Sequence, residues 1–494
     1  MLITNLTSLY NINQIRSLED TATKKYQISA ASLMQRAGKA ALQVLLTSWP
    51  KAKNIAIICG KGNNGGDGHV LARLAKESGL AVTVFQVTPT DKLSGIAKEA
   101  AIECQQAKIP LLPFTAEITN FDVLVDALFG IGLTESINEK FVSIIEAIND
   151  SNIPVLAIDI PSGLDANTGN VLVAAVHASI TITFVAPKQG LFTGDAKDYC
   201  GIVQCDDLDL PNDAFTSQAS TAELSHLPCL LKKLPRRSRT AHKGNFGHVL
   251  VIGGDYGMGG APRLTAEAAL RVGAGLISVV TRREHVAIIN AGRPEIMCHG
   301  TKNLAALFDR ATTIVIGPGL GKAQWGNDLW QFIINNFSPT KQYVIDADAL
   351  NFLALAPQNK ANWILTPHPG EAARLLALTS TKVQTDRFQA ASNLQTQFGG
   401  VCVLKGSGTL IYDGKNPIQI CVAGNPGMAS GGMGDILSGM IGGLLAQKLT
   451  FSDAASLGVT LHAEAADLAA HEHGERGLTA MDLLPYVQKL LNCK

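Results

Sequence analysis

Two successive series of short, β-branched apolar runs, each breaking at glycine, aspartate or proline, constrain this chain more than any other feature. The first comprises "NIAIICG", "AVTVFQV", "VLVDALFG", "PVLAIDIPSG" and "ASITITFVAP". Runs of this kind, separated by enough chain for a crossover, predict a mostly parallel sheet buried by helices on both faces. Helical spacing in "NQIRSLEDTATKKY" and "ISAASLMQRAGKAALQVLL" precedes them. A second series follows: "HVLVIGG", "GLISVVT", "TIVIGPG", "YVIDAD", "WILTPHPGE" and "GVCVLKGSGT", then the glycine-rich "GNPGMASGGMGDILSGMIGGLLAQ". Between roughly 206 and 245 the texture turns acidic, then proline- and serine-rich, then basic, which marks a junction. The expected domains are 1–218 and 226–494, two different α/β domains, with "KKLPRRSR" as a solvated linker.

At 494 residues, the chain exceeds the size at which one core stops growing. Hydrophobic residues make up 46% and charged residues only 17%, so core material is ample. Lys plus Arg equals Asp plus Glu at 41 each, which leaves no global field for a nucleic acid or an anionic membrane. The nine cysteines contain no C-x-x-C, so neither a disulfide framework nor a zinc site is expected. The first residues lack a basic region followed by an apolar block, and no apolar run reaches about 18 residues. A soluble, cytoplasmic protein is the expectation.

The loop "CGKGNNGGDG", residues 59–68, carries a G-x-G-x-x-G at Gly60, Gly62 and Gly65 between a strand and a helix. A dinucleotide fingerprint also wants an acid about 20 residues on, at the end of the second strand. That strand ends in Gln86 and Val87, so the fingerprint is incomplete. Phosphate cradling needs only backbone N–H groups. The added amides and carboxylate of "NNGGD" therefore point to a ligand with hydroxyls or to a bound cation. Two further strand ends carry Asp126, and Asp159 with Ser162. A carboxylate there costs free energy unless it is paired or bound to a cation, and Asn64, Asp126 and Ser162 are all oxygen donors, as a hard cation requires.

With "LMQRAG", "GNNGGDG", "DALFGIGL", "DIPSGLDANTG" and "FVAPKQGL" in this order, residues 10–210 closely resemble the N-terminal epimerase domain of the NAD(P)H-hydrate repair enzymes. The resemblance implies a Rossmann-like, three-layer fold that interconverts the R and S epimers of hydrated NADH or NADPH (NADHX, NADPHX). It places substrate contacts on Asn63, Asn64, Gly65, Gly66 and Asp67, on Gly130, Ile131, Gly132, Leu133, Thr134, Glu135 and Ser136, and on Asp159. It places potassium on Asn64, Asp126 and Ser162. Lys61 stands where the family often has a small or polar residue. Asp159 is the expected proton carrier, with Asp126, Asp67 and Lys188 as alternatives.

In the second half, glycines 431, 432 and 434 lead into an apolar helix whose free N–H groups suit a phosphoryl group, and Asp435 sits where it can take a hydroxyl proton. The arrangement resembles the ribokinase-like fold. Together with "HKGNFGHVLVIGGDYGMGGAPRLTAEAALRVGAGLISV", "VIGPGLG", "VIDADALN", "LTPHPGEAARLL" and "VLKGSGTLI", residues 230–490 resemble the ADP- or ATP-dependent NAD(P)H-hydrate dehydratase domain. That resemblance implies hydrate contacts at Ala261, Gly319, His368 and Asp435. It implies adenine-nucleotide contacts at Lys405, Gly406, Ser407, Gly408, Thr409 and Gly434, with magnesium accompanying ADP, and a homo-oligomer. His462, His471 and His473 lack metal-site spacing and read as an exposed helix end, and Thr479 with Asp482 reads as a helix cap. The competing expectation is a small-molecule kinase of the ribokinase type fused to a non-catalytic nucleotide-binding module, which would leave a stable phosphorylated product.

Overall fold

The computed structural model describes residues 8–114, 118–132, 137–216 and 218–492. The chain divides into two compact units, Met1–Glu223 and Leu224–Lys494.

In the first unit a sheet runs, edge to edge, Leu111–Pro113, Ala81–Gln86, Asn54–Cys59, Val123–Ala127, Val155–Ile158, Ile180–Phe184 and Ile202–Asp206. Every neighbouring pair is parallel. Strand order reverses between Asn54–Cys59 and Val123–Ala127, the crevice where open α/β sheets take ligands. The helices Ile12–Tyr26 and Ala30–Ser48 start at Asn11 and Ser29, whose side chains accept from Gln14 N and Ser32 N. Their apolar faces, among them Ile15, Leu18, Ala37 and Leu45, bury against one side of the sheet with Ile55, Ile57 and Val125. The other side buries Ala56, Ile58 and Leu124 against Ile144, Ile145 and Ile148 of the helix Glu139–Asp150. This layering is the expected Rossmann-like architecture.

Within the second unit the order is Ile418–Cys421, Thr409–Tyr412, Val401–Leu404, Trp363–Leu365, Gln342–Ile345, Thr313–Ile316, His248–Ile252, Leu276–Thr281 and Met297–Gly300. The strands from Val401–Leu404 to Met297–Gly300 are parallel. Thr409–Tyr412 and Ile418–Cys421 form an antiparallel hairpin on Val401–Leu404, an addition to the strand series expected from the sequence. Helix Met433–Ala446 is almost wholly buried between the sheet and the helices Gly260–Arg271 and Phe451–His473. It can be so because glycine replaces bulk on several faces: an added Cβ at Gly439 would meet Thr265 O at 2.1 Å. The basic run is not uniformly solvated. Arg237 donates to Gly273 O and to Gln447 Oε1 at 2.8 Å, and lies over the Phe246 ring. Among the described residues, no helix is long and apolar enough to cross a membrane.

Both sheets use the same device at the first central strand. A Cβ on Gly60 would sit 1.9 Å from Leu128 O, and one on Gly253 would sit 1.9 Å from Pro318 O. The loop leaving each strand thus passes against the loop leaving its neighbour, a packing only glycine allows. Gly60→Ala and Gly253→Ala are each expected to destabilise their own unit by about 2 kcal/mol or more. Thermal melts resolved by unit-specific limited proteolysis check this.

Candidate active sites

In the first unit, a cleft of about 760 Å³ opens at the carboxyl ends of the central strands, a size that suits a cofactor-sized ligand. Lys61 to Asn64, Asp67, Phe129 to Gly132, Asp159 and Lys188 all line it. The helix Asn63–Glu77 starts at Gly62 without a side-chain cap, which leaves its first N–H groups to face the cleft. Gly65 and Gly66 are buried and pack inward, Gly65 against Gly60 O and Gly66 against Met34, so they shape the turn and do not line the cleft. Leu133, Thr134, Glu135 and Ser136 lie outside the described residues. Gln86, which occupies the place of the fingerprint acid, lies 3.0 Å from His69 Nε2. Burial holds His69 near pKa 4, hence neutral, against a contact with Gly65 O.

Behind Asn64 lies a connected polar network. Asp126 is fully buried, and its carboxylate accepts from Ser162 Oγ at 2.6 Å, Ser162 N at 2.7 Å and Leu128 N at 3.2 Å. Ser162 Oγ in turn accepts from Phe129 N at 2.8 Å, while Asn64 Nδ2 donates to Phe129 O at 2.9 Å. Burial raises the Asp126 carboxyl to about 6, despite the hydrogen bonds from Ser162 and Leu128. Asn64 Oδ1 is buried with no partner. A buried acceptor left unpaired is costly, and the amide that carries it shares Phe129 O with the Ser162 hydroxyl.

At the other wall Asp159, at φ 69°, follows the strand Val155–Ile158, and its Oδ1 accepts from Lys188 Nζ at 2.5 Å. Lys188 is 1% exposed and also donates to Phe184 O at 2.7 Å. Burial, then the Asp159 and Glu19 charges, push the Asp67 carboxyl well above its ordinary value against Lys188. Glu19, from the helix Ile12–Tyr26, joins this cleft and is likewise raised, by burial and Asp159 against Lys188. Sequence reasoning missed Glu19, because a lone acid on an amphipathic helix carries no motif.

In the second unit the site forms where Lys405 leaves the strand Val401–Leu404. Its Nζ lies 2.9 Å from Asp346 Oδ1 and 3.8 Å from Glu371 Oε2. Burial opposes its charge, but Asp346 and Glu371 outweigh that and hold the ammonium above the ordinary lysine value. A Cβ on Gly434 would stand 3.5 Å from Lys405 Nζ. Gly432, at φ 91°, turns the chain into the helix Met433–Ala446 and places Asp435 in its first turn. Burial, then the charge of Asp346, raise the Asp435 carboxyl to about 7, against Lys405.

His368 caps the helix Pro369–Leu375, accepting at Nδ1 from Gly370 N at 3.0 Å, while Glu371 reaches back to His368 N at 2.8 Å. Burial, Lys405 and Arg374 lower the His368 pKa. His368, Lys405, Gly434 and Asp435 are therefore linked through Glu371 and Asp346. Ala261 and Gly319 are adjacent: a Cβ on Gly319 would lie 3.1 Å from Ala261 Cβ. Two residues further along, Gly321 N donates to Asp348, whose charge Asp435 feels.

Along Gly406, Ser407, Gly408 and Thr409 the chain turns with Gly406 and Gly408 at positive φ, closed by Thr409 Oγ1 on Gly406 O at 2.9 Å. Arg387, 1% exposed, braces this turn by donating to Leu404 O, Lys405 O and Gly408 O. Nothing in the sequence marked Arg387. His462 corrects one expectation: it is buried, with Nε2 unpartnered, and burial and Lys405 pull its pKa to about 4. His471 and His473 are exposed, and Thr479 with Asp482 forms the expected capping box. Among the described residues, no cluster of three or more His, Cys, Asp or Glu could hold a metal ion.

A parallel-sheet unit with a polar strand-end cleft, joined to one with a lysine, a glycine turn and a helix-start aspartate, defines a two-domain nucleotide-handling enzyme. The family described as NAD(P)H-hydrate dehydratase matches residues 249–489, and the one described as YjeF-related protein N-terminus matches residues 30–190. The chain is 50% identical to the bifunctional NAD(P)H-hydrate repair enzyme Nnr of Coxiella burnetii over 99% of this chain and 100% of that protein. To the enzyme of that name from Escherichia coli it is 42% identical, over 98% and 94%. A solved ribokinase-like superfamily protein from Enterococcus faecalis superposes with TM-score 0.51 at 28% identity, covering 54% of this chain and 94% of that one. The chain belongs to the bifunctional NAD(P)H-hydrate repair enzyme family.

Because Arg387 holds three carbonyls in and beside the Gly406–Thr409 turn, Arg387→Met is expected to cost about 2–4 kcal/mol of stability and to weaken adenine-nucleotide binding. Urea denaturation and calorimetric titration of ADP check the two effects.

Proposed function

We propose that the chain repairs hydrated nicotinamide cofactors. The first unit interconverts R- and S-NAD(P)HX, and the second dehydrates the S epimer to NAD(P)H at the expense of ADP, giving AMP and phosphate. The observation that carries this reading is the joint placement, in a chain of that family, of a polar strand-end cleft in one unit and the Lys405, Gly434 and Asp435 group in the other.

Epimerisation requires the carbon–oxygen bond of the hydrated ring carbon to break and re-form on the opposite face. The ring nitrogen's lone pair expels the hydroxyl as it is protonated, and water adds to the other face as it loses a proton. We assign the proton transfers to the Asp159–Lys188 pair, with Asp67 as the neighbouring acid. Asn63, Asn64 and the backbone of Gly130 to Gly132 would hold the dinucleotide, joined by Leu133 to Ser136. Asn64 Oδ1, Asp126 and Ser162 fit a potassium ion in their donor chemistry, and the unpaired Asn64 oxygen supports the assignment. Bound there, the ion would neutralise charge near the phosphates.

In the second unit Asp435 takes the proton of the ring hydroxyl, whose oxygen attacks the terminal phosphorus of ADP as AMP departs. Lys405 meets the phosphate charge while Gly406 to Thr409 and Gly434 offer close backbone approach. Ala261, Gly319 and His368 would hold the hydrate. The ring nitrogen then expels phosphate, the adjacent ring carbon gives up a proton, and the reduced nicotinamide is restored. Magnesium would travel with ADP and lower the charge of its phosphates. We also propose a cytoplasmic location and a homo-oligomer, the latter testable by light scattering.

Asp435→Ala is expected to abolish phosphate release and NAD(P)H recovery while leaving exchange between the epimers intact. Chromatography of the epimers beside a phosphate assay reads both, and a stable phosphorylated hydrate from the unaltered enzyme would favour the kinase alternative. Because Asp435 must be ionised to act, the dehydration rate should climb with pH through about 7 and be lost below it. For the first unit, replacing potassium by lithium should slow epimerisation several-fold, and Asn64→Ala should remove that cation dependence. Equal rates in the two salts would rule out the cation assignment.

A further inference from the structure

The second unit contains a buried carboxylate that the proposed reaction does not use. Asp346, 1% exposed, ends the strand Gln342–Ile345 at the mouth of the site. One of its oxygens accepts from Lys405 Nζ at 2.9 Å and the other from Ser438 Oγ at 2.6 Å. Ser438 lies three residues beyond Asp435 on the same helix, so the two share a helix face. The carboxylate is thus tied to the lysine on one side and to the helix of the catalytic aspartate on the other. Burial works against its charge, but Lys405 and the hydrogen bonds from Ser438, Lys405 and Thr366 hold it below the usual carboxylate range, so it stays ionised.

We propose that Asp346 is the positioning residue of the dehydratase site. Its carboxylate fixes the Lys405 ammonium beside Gly434 and, held by Ser438, places a negative charge against the helix turn that carries Asp435, where a Cβ on Gly434 would stand 4.0 Å from Asp346 Oδ2. This deepens the reading above and rests on it.

The charged and titratable groups around Asp435 make the direction definite. Asp346, just after the strand Gln342–Ile345, and Asp348, the first residue of the helix Asp348–Leu355, oppose its ionisation, and Lys405, from the end of Val401–Leu404, favours it. Glu371, at the start of the helix Pro369–Leu375, acts on Lys405, and Lys405 in turn acts on His368, which caps that helix, and on His462, on the helix Phe451–His473. Both histidines are shifted towards their neutral forms. Replacing Asp346 by asparagine keeps an acceptor for Ser438 but removes a negative charge and releases Lys405 from its ion pair. Both changes favour ionised Asp435. A residue that merely filled the core would leave that equilibrium where it was.

The test is the pH dependence of kcat/KM for dehydration in the full-length enzyme and in D346N, with epimerisation by the same chain as the control for intact protein. The acid limb of D346N should move to lower pH by about one unit or more, and the KM for ADP should rise as Lys405 loses its anchor. An acid limb coincident with that of the unaltered enzyme overturns the proposal. If D346N does not fold, the unaltered enzyme with ¹³C-labelled aspartate carboxyls gives a second reading, with Asp435 assigned from its loss in D435N. The Asp346 signal should shift as Asp435 titrates, and a flat Asp346 signal through that titration equally overturns the proposal. Failure of the broader functional reading is distinguishable, since the unaltered enzyme would then convert no hydrate.

Discussion

A buried lysine ammonium held against a carboxylate at the end of a parallel strand is the interaction on which both units depend. Lys188 meets Asp159 at 2.5 Å and Lys405 meets Asp346 at 2.9 Å. Neither charge would survive burial alone, and removing one partner strands the other, which is why such pairs are costly to break. Each pair therefore fixes where the loops beyond its strands run. The first lines the cleft with Asn64, Asp67 and Gly130 to Gly132, and the second holds the ammonium beside the glycine turn and Asp435.

The two chemistries share a ring carbon and differ in what each site must do with the hydroxyl. Reversible loss and return of water needs proton transfer at both faces. The first cleft sets Glu19 and Asp67 near the Asp159–Lys188 pair, and burial with the neighbouring negative charge leaves the Glu19 and Asp67 carboxyls holding protons above the ordinary range. Irreversible loss needs the hydroxyl converted to a leaving group. The second site sets a carboxyl with a pKa of about 7, Asp435, near a fixed ammonium, Lys405, the pair to which we assign proton removal and phosphate binding.

Much of this was legible in the sequence where a motif coincided with a strand end. The apolar runs located the central strands, since alternation of buried strands with helices leaves few other folds. Lys405 and Asp126 were legible as polar residues at the end of an apolar run, Asn64 as an amide in the loop after one, and Asp435 as an acid behind the glycines that open an apolar helix. Short edge strands such as Leu111–Pro113 and Met297–Gly300 were not, because they are brief and partly exposed. The hairpin Thr409–Tyr412 with Ile418–Cys421 did carry a signal, the Asp413–Gly414 turn between two apolar runs, which the glycine loop before it obscured. Asp346 belonged to the same strand-end pattern as Asp126 and Asp159, so its role was readable in principle. Glu19 and Arg387 were not, since only tertiary packing brings one to the cleft and the other beneath the Gly406–Thr409 turn.

The central claim, that one chain carries both reactions, is tested most directly by supplying pure R epimer of hydrated NADH with ADP, magnesium and potassium and following the absorbance of reduced nicotinamide. Spontaneous epimerisation sets the background, measured with the second unit alone, once that fragment is shown to fold. Recovery of all the NADH by the full chain, faster than that background and with one phosphate released per molecule, is the predicted result. Recovery no faster than the background would contradict the account by leaving the first unit without its reaction.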